Sequence, residues 1–312
     1  FLILLFVLVS TLTYAKETKF EKRLQKDIKK LSKISGFIDN ELKLYDEETI
    51  LDKKNTIIII YNHGSSTPEK RREECIKGAG RIPEAISRLH NKKINNMTIR
   101  IYRMCSGARG LSDHHFDRVH ELFDSEGNPN GFIDLIDYDG IRLYDKIQQH
   151  LRRQIVIDTI DDFAEKGYDN ILLSGLSAGG FLSFYLTAHF PDKIDGAIIF
   201  NPAAYGGKLK QDYAPRQVLR DYWEKEMSKF SEINSLLFIH DDDGWEDSMT
   251  LSFLIEMNKV RTINYTNFGC EFPLGGKYGA HIFAIYPEKD SCFTKWEAKN
   301  NYIISYLESL FN

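Results

Sequence analysis

The chain is poor in proline and cysteine, with 8 and 4 among its 312 residues. It has no long Pro/Gly/Ser-rich stretch, no internal repeat and no low-complexity tract. Without a linker it reads as one large domain rather than two small ones joined by a tether. Basic residues are not in excess: 41 Lys and Arg stand against 45 Asp and Glu, a net charge of -4. No basic stripe with interleaved aromatics occurs, so nucleic acid is not an expected partner. None of Cys75, Cys105, Cys270 and Cys292 has Cys-x-x-Cys spacing, which sets aside the common structural zinc motifs. No apolar run reaches the roughly 20 residues needed to span a bilayer.

What is there begins with a short apolar segment, Phe1 to Ala15. It ends in Thr13-Tyr14-Ala15, with small residues at both ends as a signal-peptidase site requires. Residues 1–15 read as a secretory signal peptide whose basic n-region is missing from the sequence. The expected location is therefore secreted or periplasmic. An uncleaved anchor is the alternative, and only then is a membrane an expected partner. Residues 16–55 read as an amphipathic helix and a lead-in, with Phe20, Leu24, Ile28, Leu31 and Ile34 at helical spacing on a cationic segment.

From residue 56 to 312 the chain alternates strands and helices. Thr56–Tyr61 is a continuous β-branched run, as in a strand buried on both faces. Further strands are expected at Met97–Met104, Asn170–Gly175, Asp195–Phe200, Ser235–His240 and Thr262–Thr266, with one closing helix over Trp296–Phe311. This pattern predicts an α/β fold, a mainly parallel central sheet flanked by helices. Ligands bind such sheets at the carboxyl ends of the strands. Asn62–Ser66, Ser177, Asn201–Tyr205, Asp241–Asp243 and the turn after Thr266 would share that rim.

Residues 106–138 break the alternation and read as a lid-like insertion after the second clear strand. They hold Asp113, His114, His115, Asp117 and His120. Adjacent histidines on a helix point apart, so an exposed polar helix is expected there, not a metal site. Glu126–Asp134 has the oxygen spacing of a calcium loop, but it carries Pro129 inside and reads as a polar turn. No metal and no cofactor are expected.

The chemistry sits at Gly175-Leu176-Ser177-Ala178-Gly179. An apolar run precedes it and a helical segment follows. A sharp strand–turn–helix lifts the serine hydroxyl clear of the sheet, and the small neighbours allow strand and helix to approach. A serine needs a base to take its proton and a carboxylate to hold that base. After Ser177 the histidines are His189, His240 and His281. His189 lies on the helix, pointing away from the turn, and His240 ends a strand. His281 sits in a glycine-rich loop before the closing helix and is the expected base. The acid comes from the Asp241–Asp247 stretch, with Asp243 first, then Asp247 and Asp241. Backbone N–H groups of Ala178 and of the loop after the first strand, at Ser65 or Ser66, would form the oxyanion hole. His63-Gly64 lets that loop turn back toward the serine.

In their order of oxyanion loop, serine, acid and histidine, these motifs resemble the α/β-hydrolase superfamily over roughly Thr56 to Asn312. The resemblance implies that fold and a serine-based acyl transfer, with a small-molecule or acyl substrate. Carboxylic ester hydrolysis is the leading expectation. A serine peptidase, or a non-catalytic binding protein on the same fold, are the alternatives. Export makes disulfides the expected state of an even cysteine count. Cys270 and Cys292 bracket His281, so their bond would close the loop carrying the base. Cys75 and Cys105 then pair by elimination.

Overall fold

The structure is a computed structural model. It describes residues 36–39, 52–64, 82–105, 153, 156–203, 224–269, 276–285 and 292–312. The expected signal segment, the expected amphipathic helix and the expected 106–138 insertion, with Ser65 and Ser66, lie outside them. No helix among the described residues is long and apolar enough to cross a membrane.

The strands are β1 Gly36–Asp39, β2 Thr56–Asn62, β3 Lys93–Ile94, β4 Met97–Cys105, β5 Asn170–Ser177, β6 Gly196–Pro202, β7 Glu232–Ile239 and β8 Asn258–Asn264. They form one sheet in the order β1-β4-β2-β5-β6-β7-β8, with β3 beside β4. All neighbours from β4 to β8 pair in parallel. β1 and β3 pair with β4 antiparallel. β1 is too short to carry a periodic signal, and the sequence placed it in the lead-in. The last strand runs Asn258–Asn264, several residues before the span expected for it.

The order reverses at β2. The chain leaves β2 for β4 on one side and returns to β5 on the other. A crevice opens at such a switch point, outside the carboxyl ends of the strands. In register, Tyr61 lies beside Ser174 and Asn62 beside Gly175, so β5 runs on past the end of β2 to Ser177.

Alternation along β2 sorts its side chains into two cores. Ile58 and Ile60 join Leu173, Ile199 and Leu237 on one face. Helices α2 (156–165) and α3 (Ala178–His189) cover it through Ile160, Phe163, Phe181 and Phe184. Ile57, Ile59 and Tyr61 join Leu172, Phe200 and Phe238 on the other face, under Ile86 of α1 (Glu84–Ser87). Two further helices, α5 (Cys292–Asn300) and α6 (Tyr302–Leu310), pack there through Phe293, Ile303 and Leu307.

The closing segment is thus two helices, not one over Trp296–Phe311. Asn301 takes the left-handed conformation with φ 54° and breaks it. The buried Glu297 carboxylate reaches across the break, accepting the Ile303 N–H at 3.0 Å and pairing with Arg88. It satisfies a first-turn donor that α6 cannot satisfy itself. Burial pushes the Glu297 carboxyl up, while that N–H and Arg88 pull the other way.

Cys292 stands at the start of α5. The side chains of Cys75, Cys105 and Cys270 lie outside the described residues.

Phe293 joins the closing helices to the sheet. Its ring centroid lies 5.2–5.9 Å from those of Phe200, Phe238, Tyr265 and Trp296. Phe293→Ala should cost about 3–5 kcal/mol, the usual range for emptying such a site. Urea denaturation followed by far-UV circular dichroism measures it, and Phe293→Leu should lose clearly less.

Candidate active site

Ser177 ends β5 and α3 starts at the next residue. The serine has φ 55° and ψ -126°, a conformation L-residues rarely adopt. The chain therefore turns from strand to helix within one residue, and the backbones come very close. A Cβ on Gly175 would lie 2.3 Å from the Gly179 carbonyl oxygen. One on Gly179 would lie 2.1 Å from the oxygen of Asn62 and 2.3 Å from that of His63. These obstacles are backbone and cannot move aside.

The Asn62 amide donates to Ser183 Oγ at 3.0 Å. The Ser183 hydroxyl faces the carbonyls of Ser174 at 3.0 Å and Gly179 at 2.9 Å. One buried clasp thus joins β2, β5 and α3.

The histidine expected as base is placed differently from expectation. His281 stands on a short helix, α4 (Gly276–Ile282), not in a glycine loop. Its Nδ1 lies 2.7 Å from Asp243 Oδ2 and its Nε2 lies 2.8 Å from Ser177 Oγ. A carboxylate only accepts, so Nδ1–H donates to Asp243. In the neutral ring Nε2 is then left to accept the serine proton. Asp243 is 1% exposed and His281 4%.

Two other aspartates of the loop have structural duties. Asp241 accepts from the Ser248 hydroxyl at 2.6 Å and the Asn264 amide at 2.7 Å, tying the loop to the end of β8. Partial burial works against its charge, but hydrogen bonds led by Ser248 and Asn264 outweigh it and hold the carboxyl below its ordinary value. Asp247 and Thr250 cap one another: Asp247 Oδ1 accepts the Thr250 N–H and Thr250 Oγ1 accepts the Asp247 N–H, both at 2.8 Å. Asp242 is exposed.

The other two histidines stand apart from the serine. His240 accepts the Asp242 N–H at Nδ1. His189 stacks on Tyr185, and its Nε2 lies 3.2 Å from Glu226 Oε1. The hydrogen bond from His189 holds the Glu226 carboxyl down at about 2.

Ala178 is the first residue of α3, so its N–H belongs to the unpaired first-turn donors beside the nucleophile. The positive end of the helix dipole lies there too. Ser65 is outside the described residues, but Gly64 is not. A Cβ on Gly64 would lie 3.1 Å from Ser177 Cβ and 3.7 Å from Oγ. Gly64 therefore lies directly against the serine. Among the described residues no cluster of His, Cys, Asp and Glu could hold a metal ion.

The chain has the α/β-hydrolase fold. Sheet order, the switch point at β2, the strained serine between β5 and α3, and the placement of Asp243 after β7 and His281 after β8 within hydrogen-bond reach of it together establish it. No family model and no curated protein sequence matches the chain. Among solved structures it is similar to a thermostable esterase at 15% identity and TM-score 0.44, over 90% of this chain and 63% of that one. The chain therefore spans less than two thirds of that protein's length. It is also similar to Est1E from Butyrivibrio proteoclasticus, at 13% identity and TM-score 0.45, over 88% and 95% of the two chains. An esterase from Pyrobaculum calidifontis gives 10% identity and TM-score 0.48, over 93% and 90%. Likenesses this distant leave the site to be read from the chain's own geometry.

Two residues outside the sequence-derived set belong to the site. Asn201, at the end of β6 with φ 41°, is buried. Its amide donates to the carbonyls of Ala280 at 2.9 Å and His281 at 3.0 Å. Asn tolerates positive φ better than most residues, so Asn201-Pro202 at a strand end was the available signal. Trp245 donates its backbone N–H to Asp243 Oδ1 at 2.7 Å and stacks its ring on His281.

Single Asn substitutions separate the four acids. Asp243→Asn should lower turnover roughly 10⁴-fold, because it loses the charge that holds the base in its tautomer. Asp241→Asn, Asp242→Asn and Asp247→Asn should stay within about ten-fold of the parent. Turnover of an activated ester by each purified variant gives the ranking.

Proposed function

We propose that this chain is a serine hydrolase that acts on carboxylic esters. The observation that carries the reading is the continuous hydrogen-bonded line from Asp243 through His281 to Ser177 at the strained turn. Ser177 Oγ attacks the ester carbonyl carbon while Nε2 of His281 takes its proton. Asp243 faces the imidazolium that forms. The oxyanion is held by the N–H of Ala178 and one from the loop at Ser65. Nε2 then protonates the departing alcohol oxygen, leaving an acyl group on Ser177. Water repeats the sequence and releases the acid. An ester is the acyl compound this equipment handles with least further help, since an alcohol leaves more readily than an amine. The substrate is a small acyl compound and no cofactor takes part.

Ser177→Ala should lower hydrolysis by around six decades with the fold intact. His281→Ala should be as damaging, and the double variant no worse than either single one. A fluorophosphonate probe should label the parent on Ser177 and leave Ser177→Ala unlabelled. Near-parental turnover by Ser177→Ala would sink the mechanism.

Export is part of the proposal and rests on the Phe1–Ala15 segment. With it goes a Cys270–Cys292 bond near His281, and a second bond between Cys75 and Cys105. A loop of this size contributes about 3 kcal/mol in the chain-entropy model, less any native strain. Non-reducing peptide maps of protein from its native compartment should show both linked pairs. Any other pairing of Cys292 rules this one out.

A further inference from the structure

The bond from Ser177 to Nε2 lasts only while Ser177 is a free hydroxyl. Once Oγ carries an acyl group it has no proton to donate. The imidazole then loses one of its two in-line tethers and keeps only Nδ1–H to Asp243 at 2.7 Å. A further contact on the ring comes from its face. The Trp245 ring lies parallel-offset on it, with centroids 4.3 Å apart and planes 28° apart. The backbone N–H of Trp245, which every side-chain variant keeps, donates to the other oxygen of Asp243 at 2.7 Å. Other neighbours act elsewhere: Asn201 and the phenol of Tyr265 reach backbone carbonyls of α4, and burial keeps that phenol protonated.

We propose that Trp245 is a positioning residue that keeps the His281 ring in line through the acyl-enzyme, so that its removal slows deacylation more than acylation. The proposal rests on the triad reading above. In deacylation a water oxygen attacks the acyl carbonyl carbon and its proton passes to Nε2. The adduct collapses as the bond from Oγ to carbon breaks, Nε2 returns the proton to Oγ, and the carboxylic acid departs. Without the indole face the ring turns about its Cα–Cβ and Cβ–Cγ bonds, and water meets no aligned base. In acylation Ser177 itself still tethers Nε2. The indole face also attracts the imidazolium that forms in passing.

The test is burst and steady-state kinetics on p-nitrophenyl acetate with the full chain and its Trp245→Leu and Trp245→Phe variants. The Leu variant should lose about three- to ten-fold in kcat, the span of an aromatic stack. KM should fall with it, because acyl-enzyme accumulates, and kcat/KM should stay within about two-fold. The burst should approach one product per labelled site. Trp245→Phe, which keeps a ring in place, should recover most of kcat. Should the Leu variant not fold, Trp245→Met, a flexible gap-filler without a ring, takes its place. If kcat/KM falls as far as kcat, or KM rises with kcat unchanged, Trp245 serves acylation or substrate contact and the proposal fails while the triad reading stands. A parent protein that neither turns over the ester nor is labelled at Ser177 overturns both.

Discussion

The arrangement of the site depends on how closely three backbone segments meet at the carboxyl ends of β2 and β5. Helix α3 begins directly after Ser177, and its first turn lies under the carbonyls of Asn62 and His63. That distance leaves no room for a side chain at Gly179 and forces the one-residue turn on the serine. A residue in such a conformation costs about 1–3 kcal/mol and persists where its surroundings over-determine it. Here they are the Asn62–Ser183 clasp and the buried strands on both sides. The same closeness sets the first turn of α3 and Gly64 beside the Ser177 hydroxyl.

From Ser177 the constraint passes to the base through the end of β6. The Ala203 N–H donates to the Ser177 carbonyl at 3.1 Å. Two residues earlier, Asn201 holds the carbonyls of Ala280 and His281. One turn of chain therefore grips the backbones of both nucleophile and base. The acid is held independently, by its loop. The Asp243 N–H donates to the His240 carbonyl at 3.0 Å and Asp241 ties the loop to β8. Oγ, Nε2 and Nδ1 line up because strand ends are the rigid part of the fold, and productive chemistry tolerates little misplacement.

The strands were legible because apolar β-branched runs such as Ile57–Ile60 have few other uses in a globular chain. The serine was legible from the small residues that close packing demands on either side of it. The acid was legible only as a stretch. Asp241, Asp242, Asp243 and Asp247 are one residue type, and burial and partners separate them, neither of which is written in the sequence. Asn201 and Trp245 escaped for the same reason, since their duties exist only as side-chain contacts across elements. The setting of His281 was misread: Gly275, Gly276 and Gly279 suggested a loop where the chain forms a helix. Tertiary contacts override propensity there.

That override bears on how the site comes together. α4 has seven residues, two of them glycine, and would not hold its shape alone. The last carbonyls of a helix have no partner within it. In α4 those of Ala280 and His281 are met by Asn201 of β6, with the Tyr265 hydroxyl directed at Ala280 from beyond β8. The helix is thus capped by strand ends and not by its own sequence. It follows that the base is in place only when β6, β7 and β8 are already assembled. Ser177, held by β2, β5 and α3, does not depend on them in this way. The nucleophile belongs to the centre of the sheet and the base to its periphery, and the reactive pair exists only in the fully formed domain.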